Sequence, residues 1–214
     1  MRNFSFSLFN IVFGFSIILL VVLILIPFNL INLEQAQRIA KWKAEYERLK
    51  YSFELVNLHE GSIIPSVSEE KEIISEEYVW NRILPYFKFG DEKLKKIKKY
   101  KYRKMNGLPI KNGYKHYFEN FIETKSGMLF SIKQNHVEIT DEKIPLYFAF
   151  IDINGIEKPN RIGQDIFLME IYKHNVNAFG KGKNYARLKA DCSPIGKGVY
   201  CGEYYLLGGS FWLS

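Results

Sequence analysis

Most of the signatures of chemistry are missing from this chain. The four histidines, His59, His116, His136 and His174, are scattered, and none stands at metal-ligand spacing from another histidine or from a cysteine. No GxSxG, no phosphate-cradling glycine loop and no HExxH occurs. Neither of the two cysteines, Cys192 and Cys201, lies in a nucleophile motif. These absences argue against an enzyme. Two cysteines are also too few for a disulfide framework, so their meaning depends on the compartment they face. A spacing of nine suits a bridge closing a hairpin, which persists only in oxidising surroundings.

Charge is missing where its absence has most consequence. No charged residue lies between Arg2 and Glu34, and Ile11 to Pro27 is almost wholly apolar. A helix from about Phe6 to Leu30 is long enough for the roughly 30 Å hydrocarbon core at about 1.5 Å per residue. Only a helix leaves no backbone group unpaired there, since lipid offers no hydrogen-bond partner. A cleaved signal peptide is the competitor, but its apolar stretch runs about 7–15 residues and ends at small side chains. Here the run is longer and bulky residues follow it, so a retained anchor is expected over residues 6–32. Flanking charge, with Arg38, Lys41, Lys43, Arg48 and Lys50 after the span, would put the C-terminal side in the cytoplasm. A cysteine bridge would put it outside.

What is present describes a folded domain. Apolar residues make up 47% of 214 and aromatics 16%, enough to build a core and to exclude global disorder. The net charge is +7, yet eight basic residues fall between Lys93 and Lys104, so the remainder is close to neutral. Tyr100 and Tyr102 within that run suggest nucleic-acid contact; a solvated loop or a lysine-guarded strand edge is the preferred reading.

From Glu34 to Leu58, Ile39, Trp42, Tyr46, Leu49, Phe53 and Val56 recur every three or four residues. That is one apolar stripe on an amphipathic helix, suited to lie on a sheet. Pro27 should kink the join with the anchor, and Glu60-Gly61 should end the helix. Residues 62–80 are polar and loop-like, with a short helix expected around Glu76 to Tyr86. Period-two alternation then predicts strands over Phe118–Glu123, Met128–Lys133, Leu146–Ile153, Ile166–Tyr172, Val199–Leu207 and Ser210–Leu213. Gly127 and Gly208-Gly209 are placed at hairpin turns. The fold class is α+β: a long N-terminal helix, then an antiparallel sheet.

One loop could hold an ion. Asp152-Ile153-Asn154-Gly155 resembles the start of a calcium loop, where oxygen ligands alternate. Position twelve, normally a bidentate Glu, is Gly163. A structural turn, with Asx side chains bonding their own backbone, is the first reading. Ca²⁺ held by Asp152, Asn154 and Asp165 is the second.

Four stretches together resemble the type IV pilin-like family, which includes minor pilins and type II secretion pseudopilins. Aligning the family's helix proline on Pro27 puts its start on Phe6-Ser7-Leu8-Phe9-Asn10. The amphipathic QAQRIAKWKAEYERLKYSFELVNLHEG, DINGIEKPNRIGQDIF, and Cys192 to Cys201 followed by Gly209-Ser210-Phe211-Trp212 are similar to later parts of such chains. YVWNRILPYF resembles a helix that the family carries before its sheet.

The resemblance implies a leader at residues 1–5, a transmembrane helix at 6–32, its amphipathic continuation at 33–61 and an extracytoplasmic domain at 62–214. It implies processing between Ser5 and Phe6, where the family has Gly before the cut. Asn10 takes the place of the family glutamate used in filament assembly, as in some tip subunits. Further implications are a Cys192–Cys201 disulfide, helix packing through Ile17 to Leu25, and partners among other pilin-like subunits and an inner-membrane assembly platform. The N-terminus would be cytoplasmic in a bacterial inner membrane. A non-polymerising single-pass protein with an outer binding domain is the alternative.

Overall fold

The computed structural model describes residues 8–64, 76–87, 101–110, 121–124, 127–135 and 144–211. The leader-like segment with Ser5 and Phe6, Lys93 to Lys99 of the basic run, and Trp212 and Leu213 lie outside them, as do the side chains of Asn10, Leu25 and Pro27.

One helix, α1, runs from Leu8 to Glu60, 53 residues. Its second half buries the predicted stripe: Trp42, Tyr46, Leu49, Phe53 and Val56 are all in the core. Spacings of three and four put these side chains on one face, so burying them draws the helix down onto the sheet. Gly61, at φ 75°, ends it in the left-handed conformation that other residues resist. The described side chains of the first half are mostly exposed. Phe13, Phe15, Ile18, Leu19, Leu20, Leu23 and Ile24 are exposed.

Helix α2, Glu76–Ile83, turns Val79, Trp80 and Ile83 inward and runs into a 3₁₀ turn at Leu84–Tyr86. Five strands follow among the described residues: β1 Ile122–Glu123, β2 Leu129–Gln134, β3 Tyr147–Asp152, β4 Ile166–Ile171 and β5 Val176–Ala178. They pair antiparallel in the order β1-β2-β3-β4-β5, a plain meander. Alternation sorts the side chains. Phe130, Ile132, Ala149, Ile151, Phe167 and Met169 join the core under α1. Leu129, Phe150, Ile166 and Leu168 form a second cluster on the other face, covered by Tyr102, Ile110, Phe179 and Val199.

One expected strand is a helix, and the described part of another carries no strand. Cys201–Leu206, within the expected strand Val199–Leu207, is helix α4. Its tyrosines favour strands in isolation, but tertiary contacts decide: Tyr204 and Tyr205 are both buried, and the Trp42 indole lies against Gly202. Gly208-Gly209 therefore closes a helix instead of a hairpin, with Gly209 N–H donating to Tyr204 O at 2.9 Å. Ser210 and Phe211 carry no strand. Two elements were not expected, β5 and helix α3, Tyr185–Asp191. Asn184 caps α3, its side chain accepting from Arg187 N–H at 2.8 Å.

Candidate functional site

The β3–β4 loop, leaving at Asp152 and returning at Ile166, brings the predicted acidic residues together inside the domain. Asp152 and Asp165 are essentially unexposed. Asp165 is held by the backbone: Asn160 N–H donates to its Oδ2 and Arg161 N–H to its Oδ1, both at 2.6 Å. Asn160 adopts φ 52°, a left-handed conformation that Asn tolerates better than most. Asp152 Oδ1 accepts from Asn154 N–H at 3.2 Å, an Asx turn. The Asn154 amide donates to Glu157 O and Lys158 O, each at 3.2 Å.

Among the described residues, two oxygens of this loop have no donor, Asp152 Oδ2 and Asn154 Oδ1. A buried acceptor left unpaired is costly, and a proton or a cation removes the cost. Burial pushes the Asp152 carboxyl up to about 9, with the Asp165 charge adding to it and turn N–H groups opposing it. Asp165 rises to about 6, again mainly through burial, restrained by the Arg161 and Asn160 N–H groups. Its hydrogen bonds favour the anion.

Calcium takes six to eight oxygens. Among the described residues no group of three or more His, Cys, Asp or Glu side chains is placed to hold a metal, and both Asp165 oxygens already accept N–H bonds. The Asx turn is present in this loop, and a proton on Asp152 would satisfy its remaining oxygen.

Cys192, the C-cap of α3, is bonded to Cys201, the first residue of α4, with Cα atoms 5.0 Å apart. Both sulfurs are buried, and Cys201 Sγ lies 3.4 Å from Met105 Sδ. The bridge buttresses the acidic loop from behind. Gly163, at φ 85°, faces it so closely that a Cβ there would stand 2.6 Å from Cys201 Sγ. The Tyr205 hydroxyl donates to Gly163 O at 3.1 Å. Sequence reasoning missed Tyr205 and Gly163 because their roles depend on α4 being a helix.

Of the basic run, Lys101, Arg103 and Lys104 are described. Arg103 pairs by isolated bridges with Pro109 and Arg161, which makes this stretch the covering of the sheet's outer face.

The apolar half of α1 is the other candidate. Its described side chains from Ile11 to Ile24 occupy about 21 Å of helix at about 1.5 Å per residue, short of a roughly 30 Å core. Among the described residues, no helix is long and apolar enough to cross a membrane.

Comparison with protein-family models, curated proteins and solved structures finds no match to this chain.

Proposed function

We propose that this chain is a structural subunit of a pilin-like filament, a minor pilin or a type II secretion pseudopilin, anchored and assembled through α1. One observation carries the reading: a single helix whose C-terminal half is buried on an antiparallel sheet while its N-terminal half presents apolar side chains to the surroundings. A helix that keeps such an apolar face exposed is suited to an external partner, either lipid or the same helix in neighbouring subunits. The uncharged sequence from Asn3 to Leu33 extends beyond the described side chains and is long enough for a span.

In this reading the N-terminus faces the cytoplasm of a bacterial inner membrane and the domain lies outside, where Cys192–Cys201 stays oxidised. Subunits leave the bilayer by exchanging lipid for helix contacts, and an inner-membrane platform supports the exchange. Asn10, uncharged where the family has a glutamate, suits a tip or initiating subunit, which has no neighbour above it to pair with. The test is expression in cells with an active prepilin peptidase and a full set of pilin-like subunits. A mass beginning at Phe6 and recovery in sheared filaments are expected. Intact Met1 together with absence from filaments would sink the proposal.

The second reading, a single-pass protein with an outer binding domain that never polymerises, draws on Ser5 and Asn10, since both depart from the processing and assembly residues of the family. It requires membrane fractionation of the full chain with no filament association.

A further inference from the structure

Three loops are laced together at one end of the domain. Residues 101–109 meet residues 155–163 through Arg103 N–H to Asn160 O and Ile162 N–H to Arg103 O, both 2.9 Å. They meet residues 193–198 through Met105 N–H to Lys197 O at 3.2 Å and the Asn106 amide to Ile195 O at 3.4 Å. The direction of this end along α1 is fixed by contact. Trp42 stacks on Phe167 at the start of β4, whereas Ile63 N–H donates to Lys173 O, past the end of β4, at 2.8 Å, and Asn57 sits by His174. The β3–β4 loop, and the two loops laced to it, therefore lie at the end of the sheet from which the apolar half of α1 leaves the domain.

Each loop holds one aliphatic side chain out in solvent: Leu108 is 57% exposed, Ile156 67% and Ile195 87%. The same three segments carry six cations (Lys101, Arg103, Lys104, Lys158, Arg161 and Lys197) against a single acid, Glu157. Aliphatic tips among cations match the interfacial layer of an anionic bilayer, where apolar side chains enter between headgroups and Lys or Arg meets phosphate. Single-stranded nucleic acid would use the cations but draws its remaining affinity from aromatic stacking, which three aliphatic tips do not supply.

We propose that this loop face is a membrane-docking base, on which Leu108, Ile156 and Ile195 enter the bilayer interface and the surrounding cations bind anionic lipid headgroups. The proposal rests on the anchored reading of α1. Docking holds the domain upright on the bilayer before the subunit is extracted.

The experiment uses the full chain in nanodiscs of phosphatidylcholine with phosphatidylglycerol. The photo-crosslinker p-benzoylphenylalanine replaces Ile156, Ile195, Leu20 or Leu58 in turn, and lipid adducts are measured by mass spectrometry. Leu58 is 75% exposed at the far end of α1 and serves as the control. Adducts are expected at Ile156, Ile195 and Leu20 and not at Leu58. Replacing Arg103 and Lys158 by Gln, or omitting phosphatidylglycerol, should lower adducts at Ile156 and Ile195, with docking weakened about five-fold per cation removed. Adducts at Leu20 with none at Ile156 or Ile195 overturn the docking base and leave the anchor standing. No adduct at Leu20 sinks the anchored reading and the base with it. Equal adducts without phosphatidylglycerol overturn the role of anionic lipid. Cation-dependent retention of a single-stranded oligonucleotide, with no lipid adducts at Ile156 or Ile195, reassigns the face to nucleic acid and overturns the proposal.

Discussion

The Trp42 indole stacks on the Phe167 ring with centroids 4.4 Å apart and planes 20° apart, and its N–H donates to Gly202 O at 3.0 Å. One side chain thus joins α1 to β4 and to α4. Trp42→Ala is expected to destabilise the domain by about 3–5 kcal/mol, the range for removing a buried Trp. Trp42→Phe keeps a ring and loses the N–H, leaving Gly202 O without its donor, at a cost of about 1–3 kcal/mol. Urea unfolding of the full chain in detergent measures both, and an unchanged stability for Trp42→Phe would show that the hydrogen bond contributes nothing.

The acidic loop sets a pH dependence. A carboxyl whose pKa is higher in the fold than its ordinary 3.8 binds its proton more tightly when folded. Its stabilising contribution is therefore full below about pH 4 and is lost as pH rises. For Asp165 the loss is complete near 6, and for Asp152 near 9. Between pH 6 and 9 stability should fall by up to about 1.4 kcal/mol per pH unit. Asp152→Asn, which places an amide donor where the proton was, should flatten that slope in thermal melts. A slope unchanged by Asp152→Asn would refute the assignment.

Calcium addresses the same loop from another side. With Asp152 protonated, millimolar CaCl₂ should leave the melting temperature near neutral pH unchanged. A rise that grows with CaCl₂ concentration and vanishes in Asp152→Asn would restore the calcium reading, because a ligand of the folded state stabilises it by mass action.

Gly163→Ala tests the buttress. The added Cβ meets Cys201 Sγ at 2.6 Å and Gly198 O at 2.8 Å, and φ 85° is already unfavourable for Ala. Stability should fall by more than about 2 kcal/mol, with a measurable share of free thiol on alkylation. At Gly61, φ 75° with nothing within 4 Å, Ala meets only the backbone cost of about 1 kcal/mol.

Removing the bridge itself, by Cys192→Ser with Cys201→Ser, should lower stability by about 2–3 kcal/mol, the loop-closure value for about ten residues. Equilibrium unfolding under non-reducing conditions measures the loss.

Legibility followed the range of the interactions. The stripe from Trp42 to Val56 could be read because helical periodicity is written into neighbouring residues, and β2 to β4 could be read from alternation. The turn at Asp152-Asn154 was equally visible, since Asx side chains bond backbone nearby. Val199 to Leu207 misled because its β propensity is real but weaker than the burial of Tyr204 and Tyr205 and the contact of Gly202 with Trp42. Three-residue β5 and seven-residue α3 are too short for a periodic signal, although Asn184 before Tyr185-Ala186-Arg187-Leu188 marks a cap followed by helix formers.

By itself the sequence determined that this chain has one long N-terminal helix, uncharged in its first part and striped in its second, followed by antiparallel strands. Local periodicity and the absence of charge are sufficient for that. Only the tertiary structure decided that the cysteine bridge ends in a helix, that it stands behind the acidic loop, and that three distant segments meet at one end of the sheet. Those relations join residues 40 to 160 positions apart, and no local pattern encodes them.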